Sequence, residues 1–266
     1  MSSLVETHKL ARRFGSFTAV EGLDLNIESG DIFSLLGPNG AGKSTVIKML
    51  TTLLPPTSGD AHINGLSIKT QPNEVRKIIG YVPQLLSADG SLTGYENLLL
   101  FAKLYDIPTK EAKKRVEEEI AFMGLEDAAH KLVKTYSGGM IRRLEIAQSI
   151  LHRPKILFLD EPTVGLDPIG VKMVWEHILE LKTKFNITIL LTTHIMEEVD
   201  RLSNKVAFLS RGKLVAQGSP AELKKSIDQP EATLEDVFIH YTAETLQSEG
   251  DYKSIAQGRK KSKRLG

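Results

Sequence analysis

The run Gly37-Pro38-Asn39-Gly40-Ala41-Gly42-Lys43-Ser44 has the spacing G-x-x-x-x-G-K-[ST]. That spacing serves phosphate binding. The glycines let backbone N–H groups curl around phosphate oxygens with no Cβ in the way. A helix starting at the lysine adds the positive end of its dipole. Lys43 can reach β- and γ-phosphates, and the Ser44 hydroxyl can ligate Mg²⁺. A second run, Ile156-Leu157-Phe158-Leu159, ends in two consecutive carboxylates, Asp160 and Glu161. Four apolar residues suit a strand buried on both faces, and ligands of parallel sheets lie at the carboxyl ends of the strands. There Asp160 can hold Mg²⁺ and Glu161 can orient or deprotonate an attacking water. Ser137-Gly138-Gly139 precedes a helical pattern. It reads either as a simple helix cap or as a second anion-binding helix terminus.

The elements that must position these residues are partly readable. Leu23, Leu25 and Ile27 alternate with polar residues, as on a half-buried strand. Asp31 to Leu36 is an apolar run entering the phosphate loop, and a helix is predicted from Lys43 to about Thr52, ended by Pro55, Pro56 and Gly59. Ile78 to Val82 reads as a strand. Glu96–Tyr105, Glu111–Met123 and Met140–Leu151 have helical spacing with charges on one face, which suggests a helical insert over about 85–151. Lys155–Leu159 and Ile187–Leu191 read as buried strands, joined by a helix over about Ile169–Phe185 and followed by another over Met196–Leu202. Lys205–Leu209 and Lys213–Ala216 flank Arg211-Gly212 as a hairpin. Ser219-Pro220-Ala221-Glu222 has the outline of a capping box. Alternation of strand, crossover helix and strand predicts an α/β sheet.

Composition narrows the function classes. The 266 residues are 41% hydrophobic and 25% charged with a formal net charge of +1, which excludes a collagen-like, low-complexity or mainly disordered chain. So small a net charge argues against a dedicated duplex-DNA binder. With no cysteine, disulfide frameworks, thiolate metal sites and thiol nucleophiles are all excluded. His8, His62, His130, His152, His177 and His240 show no metal-ligand spacing. Met1 to Glu6 lacks the basic start and apolar core of a signal peptide, and no apolar run approaches the roughly 18 residues needed to span a bilayer. Lys253, Arg259, Lys260, Lys261, Lys263 and Arg264 place six positive charges and no acid in 252–266, so the rest of the chain is net negative.

Taken together, the motifs over about residues 3–242 resemble the nucleotide-binding domain of ABC ATPases. Tyr136-Ser137-Gly138-Gly139-Met140, with its serine 23 residues before Asp160, resembles the ABC signature. Gln84 after Tyr81-Val82-Pro83 resembles the Q-loop glutamine, and Gly165-Leu166-Asp167-Pro168 the D-loop. His194 after Thr192-Thr193 resembles the switch histidine, and Phe14 stands where the family places an aromatic that stacks on adenine. Outside that resemblance, a lone histidine after a strand and a glutamine after a proline are ordinarily structural. The family's common signature begins with Leu and ends with Gln; here Tyr136 and Met140 take those places, and Met140 has no amide to offer. This variant, the following Arg142-Arg143-Leu144-Glu145-Ile146-Ala147, Ser91 to Leu98 and Thr233 to Phe238 resemble the exporter branch for drugs, antibiotics and lipids, of the daunorubicin-resistance type.

The resemblance implies a phosphate-loop NTPase fold of ABC ATPase type: a mixed sheet core, an antiparallel β part and a helical subdomain. It implies a nucleotide-binding domain over 1–242; the charge of the remainder reads as a basic, disordered tail over 243–266. The implied activity is ATP hydrolysis with Mg²⁺, powering an exporter through a separate membrane permease subunit. Glu161, His194 and Gln84 would be catalytic. Phe14, Gly37 to Ser44, Thr45, Tyr136, Ser137, Gly138, Gly139 and Asp167 would bind ATP, and Ser44, Gln84 and Asp160 would hold the metal. Two copies would pair head to tail on ATP binding, each signature closing on the other's nucleotide, and the insert near Leu85–Tyr105 would dock the permease. The implied location is cytoplasmic, on the inner face of the cell membrane. Two other readings stay open at this stage. One is a non-transport ABC ATPase in assembly, repair or translation, disfavoured by a single uninterrupted domain. The other is nucleic-acid contact through the basic tail, which competes with contact to anionic lipid headgroups.

Overall fold

A computed structural model of the chain describes residues 3–227 and 231–247. Its strands are β1 (Ser3–Phe14), β2 (Phe17–Leu23), β3 (Asn26–Glu28), β4 (Ile32–Leu36), β5 (Ser58–Ile63), β6 (Leu66–Ser67), β7 (Ile79–Val82), β8 (Ile156–Asp160), β9 (Thr188–Thr193), β10 (Lys205–Ser210) and β11 (Lys213–Gly218). Its α-helices are α1 (Lys43–Leu50), α2 (Pro72–Ile78), α3 (Gly94–Leu104), α4 (Thr109–Phe122), α5 (Gly138–Ile150), α6 (Pro168–Phe185), α7 (Met196–Leu202), α8 (Pro220–Lys225) and α9 (Leu234–Gln247). Helix α9 runs past residue 242, and the basic run from 253 on lies outside the described residues.

Two sheets carry the chain. The larger has the order β11-β10-β4-β9-β8-β7; all its pairs are parallel except the β10–β11 hairpin. Every residue of β4, β8 and β9 is buried, which is why these strands read as continuous apolar runs. The smaller sheet is antiparallel, ordered β2-β1-β5-β6 with β3 also on β1. The mixed core, the antiparallel part and the helices between β7 and β8 match the expected fold class.

Two sequence expectations need correction. Leu23, Leu25 and Ile27 are all buried, but they do not share one strand: β2 stops at Leu23 and β3 starts at Asn26. Thr7 of β1 fills the break, its hydroxyl donating to the Leu23 carbonyl (2.8 Å) and accepting the Leu25 N–H (2.7 Å). Helix α5 has no charged solvent face. Arg142, Arg143, Glu145 and Gln148 are buried with its apolar residues, because α5 lies among α3, α4, α6 and β7. One continuous apolar core joins Leu98, Val116 and Ile120 of the insert to Leu157, Leu159, Ile189 and Leu191 of the sheet. The insert therefore shares its interior with the sheet.

Under α4 lies a cavity of about 380 Å³ lined by Phe122, Ile150, Pro154, Phe185 and Ile187, with Glu118, Glu119 and Arg153 at its wall. Burial, then the charge of Glu118, push the Glu119 carboxyl up to about 7, against the pull of Arg153 and Arg115. The unfolded chain releases this proton near 4.5. The folded state thus binds more protons between those values, and stability falls as pH rises through that window. Glu119→Gln is expected to match the parent near pH 4 and to exceed it by about 1–3 kcal/mol near pH 8. Urea denaturation at the two pH values checks this; an equal difference at both would assign the effect to something other than ionisation.

Candidate functional site

The parallel strands β4, β8, β9 and β7 all end on one edge of the large sheet, at Leu36, Asp160, Thr193 and Val82. The phosphate loop springs from the first. Two of its glycines are dictated by close approach. A Cβ on Gly37 would meet the Leu209 carbonyl oxygen at 2.3 Å, and one on Gly42 would meet that of Ala19 at 2.5 Å. Gly42 also has a φ of +105°. Gly212, in the β10–β11 turn, donates its N–H to Ala41 (2.9 Å) and accepts that of Glu21 (2.9 Å). The loop is thus braced from both sheets. Gly42 is the N-cap of α1, and no side chain caps that helix. Its first turn, with Ser44 and the half-buried Thr45, leads out of the loop.

One carboxylate gathers the side chains around this loop. Glu161 follows β8 with a φ of +49°, and its N–H donates to the carbonyl (3.1 Å) and hydroxyl (3.0 Å) of Thr192. Its buried carboxylate lies 3.1 Å from Lys43 Nζ, accepts the Gln84 amide at 3.0 Å, and sits 3.5 Å from His194 Nδ1. Lys43 also donates to the carbonyls of Gly37 (2.7 Å) and Pro38 (3.3 Å). Beside it, Asp160 accepts the Ser44 hydroxyl (3.0 Å) and the Thr192 hydroxyl (2.6 Å) on one oxygen. Burial, then the negative Asp160, push the Tyr81 phenol up to about 12, so it stays protonated. The Ser44 hydroxyl and the carboxylates converging here are hard oxygen donors of the kind Mg²⁺ takes alongside phosphate, while the Gln84 amide presents its nitrogen to Glu161. Among the described residues no cluster of three or more His, Cys, Asp and Glu could hold a metal ion by itself.

The remaining predicted residues fall elsewhere. Ser137 caps α5, accepting the Met140 N–H at 3.3 Å, while Met140 packs on the core. Gly139 lies against α6, where a Cβ would meet the Gly170 Cα at 3.2 Å, and Gly138 lies against Leu166 in the loop before it. Asp167 caps α6 through the N–H groups of Ile169 (3.0 Å) and Gly170 (2.9 Å). Tyr136 is turned into the helical core, its hydroxyl donating to Ala128 at 2.6 Å. Phe14, at the end of β1, is half exposed, with the Arg12 guanidinium 4.7 Å over its ring.

Sequence reasoning missed Thr192, which holds both Asp160 and the Glu161 backbone. Its signal was position, one strand over from the acid pair in register. It also missed Glu198, buried on α7, which accepts Thr163 and Trp175 at 2.9 Å each. Burial raises the Glu198 carboxyl, and hydrogen bonds from Thr193, Trp175 and Thr163 oppose that.

A family model described as "ABC transporter" matches residues 20–164, more than half of the chain. The chain belongs to the ABC transporter family. It is therefore an ATP-binding cassette and an ATPase. It is 44% identical over 223 residues to the daunorubicin/doxorubicin resistance ATP-binding protein DrrA of Streptomyces peucetius, covering 84% of this chain and 67% of that one. It is 37% identical over 240 residues to the probable multidrug ABC transporter ATP-binding protein YbhF of Escherichia coli, covering 89% of this chain but only 41% of that relative. A solved ATP-binding subunit of an ABC transporter superposes with a TM-score of 0.80 at 28% identity, covering 90% of this chain and 99% of that one. A dimeric post-hydrolysis structure of the ATP-binding cassette MJ0796, bound to ADP and Pi, superposes with a TM-score of 0.72 at 26% identity, covering 81% and 98%.

The cassette's phosphate loop depends on the backbone approach at Gly37. Gly37→Ala is expected to lower stability by about 1–3 kcal/mol, because the Leu209 backbone cannot move without disturbing β10. Gly40→Ala, where a Cβ meets nothing within 4 Å, should cost less despite its positive φ. Thermal melts of the two variants give the comparison, and equal losses would contradict it.

Proposed function

We propose that this chain is the ATP-hydrolysing subunit of an exporter for drugs, antibiotics or lipids, working with a separate membrane permease. The observation that carries the reading is the Glu161 carboxylate, set beside the phosphate loop within reach of Lys43, Gln84 and His194. Export through a separate permease is supported by the relatives' names, which describe ATP-binding proteins of drug-resistance and multidrug transport systems; among the described residues no helix is long and apolar enough to cross a membrane. Location on the inner face of the cell membrane follows from that partnership.

In this reading the loop amides of Gly37 to Ser44 and the first turn of α1 cradle the phosphates, and Phe14 stacks on the adenine. Ser44 and Asp160, with Gln84, would hold Mg²⁺, which neutralises phosphate charge during transfer. Lys43 exchanges its pairing with Glu161 for phosphate oxygens. Glu161, relieved of that cation, takes the proton of the water that attacks the γ-phosphate. ATP and water give ADP and phosphate. His194, already beside Glu161, senses the γ-phosphate. Ser137, Gly138 and Gly139 at the α5 terminus, with the Tyr136 backbone and Asp167, complete the site of a second copy; the ADP-bound dimer of MJ0796 supports that pairing. The domain would span 1–242 and carry on to the end of α9 at Gln247, since that helix crosses the expected boundary.

Glu161→Gln tests the assignment. It should bind ATP, hydrolyse it about 10²–10⁴-fold more slowly, and accumulate as an ATP-bound dimer on size exclusion. Near-parental turnover would remove Glu161 from the chemistry. Lys43→Ala should lose about tenfold or more in ATP affinity, as expected for a charge-assisted contact; unchanged binding by calorimetry would contradict the phosphate-loop assignment. Purification from membranes should recover an integral membrane protein with the chain.

A further inference from the structure

Helix α5 carries a buried ion pair that the roles above do not use. Arg142 donates to Glu145 at 3.0 Å, and the two side chains are 1% and 2% exposed. Burial pulls the Arg142 guanidinium down and pushes the Glu145 carboxyl up. Packing alone does not call for such a pair, since apolar residues of similar volume are often as stable or more so. The other contacts of the pair indicate its use. Arg142 forks onto two consecutive carbonyls, Pro83 (2.7 Å) and Gln84 (2.8 Å). Glu145 accepts the backbone N–H of Ser87 and, at 3.1 Å, its hydroxyl. The segment after β7 is thus gripped at 83–84 and at 87 from one helix face, while Leu85 and Leu86 between the grips are exposed. Gln84 lies at the junction. Its carbonyl is on Arg142, and its side-chain amide is on Glu161.

We propose that Arg142 and Glu145 are positioning residues of the ATPase site, which fix the backbone of 83–87 so that the Gln84 amide meets Glu161. The inference rests on the ATPase reading of that site. Among the described residues, neither has a hydrogen bond or ion pair to the phosphate loop, although Arg142 lies in the field of Asp160. Their loss should therefore lower turnover through Gln84 and leave nucleotide binding by Lys43 and Ser44 in place.

The experiment is a mutant cycle on the full chain, reading ATP hydrolysis, nucleotide KM and Tm. Arg142→Met alone strands Glu145 as an unpaired buried charge and risks the fold. Two other changes limit this: Glu145→Gln, nearly isosteric, which leaves the Arg142 cation on the Pro83 and Gln84 carbonyls, and the paired replacement Arg142→Met with Glu145→Leu, which removes both charges and keeps the volume filled. Each is expected to lower kcat about tenfold with KM within about twofold, and the paired replacement should keep the parental Tm. In a Gln84→Ala background either change should add little further loss, because coupled positions are not additive. A structural role alone would lower Tm, raise KM and multiply with Gln84→Ala. Parental kcat in folded Glu145→Gln, or multiplicative losses in the cycle, overturns the inference while leaving the ATPase reading intact. Absence of hydrolysis by the parent chain overturns that reading and the inference with it.

Discussion

A buried carboxylate is costly unless cations or hydrogen-bond donors surround it, and Glu161 has both. Its partners come from three different strand ends. Lys43 follows β4, Gln84 follows β7, and His194 follows β9. They meet because the parallel register puts Leu36 beside Thr193, Asp160 beside Thr192, and Val82 beside Leu159. Slipping one strand by a residue would turn its side chains to the other face. It would also move Asp160 off Ser44 and Thr192. The fully buried β4, β8 and β9 hold that register, so the apolar interior of the sheet is what fixes the polar site on its edge.

The chain is most legible where local physics decides structure. Continuous apolar runs marked β4, β8 and β9, and the glycines marked the close-packed turn between β4 and α1. The helix from Pro168 to Phe185 carries both its proline start and its Asp167 cap in the sequence. The antiparallel sheet was less legible. β1 is the longest strand, yet register shifts and a positive φ at Lys9 break its alternation, so its pattern of burial has no steady period of two. Helix α9 was read only as part of a family pattern, although Thr233 and Asp236 close a reciprocal cap at its start.

The misread helix is α5, and the reason is physical. A charged residue at helical spacing ordinarily marks a solvent face. Arg142, Arg143 and Glu145 instead reach backbone groups of other segments: Pro83 and Gln84, Met123 and Gly124, and Ser87. Burial of such residues depends on irregular backbone elsewhere in the chain with carbonyls and N–H groups to satisfy. Local sequence carries no record of that demand. Tyr136 was legible as part of a motif but not in its orientation, which is set by the Ala128 carbonyl and by Gly94, where a Cβ would meet its hydroxyl at 2.3 Å.

The pairing of Lys43 with Glu161 also bears on what the site accepts. The ammonium already has Glu161 and the Gly37 and Pro38 carbonyls as partners. A ligand must offer more than those contacts to draw it away, since specificity is a difference between competing interactions. A neutral or singly charged ligand gives the lysine no better partner than the one it has. A polyphosphate does, and it can also occupy the uncapped first turn of α1 at the same time. The same exchange would free Glu161 only with phosphate in place. If Glu161 is the base, as proposed, it would acquire its task together with its substrate, and a single side-chain movement would couple recognition to readiness for attack.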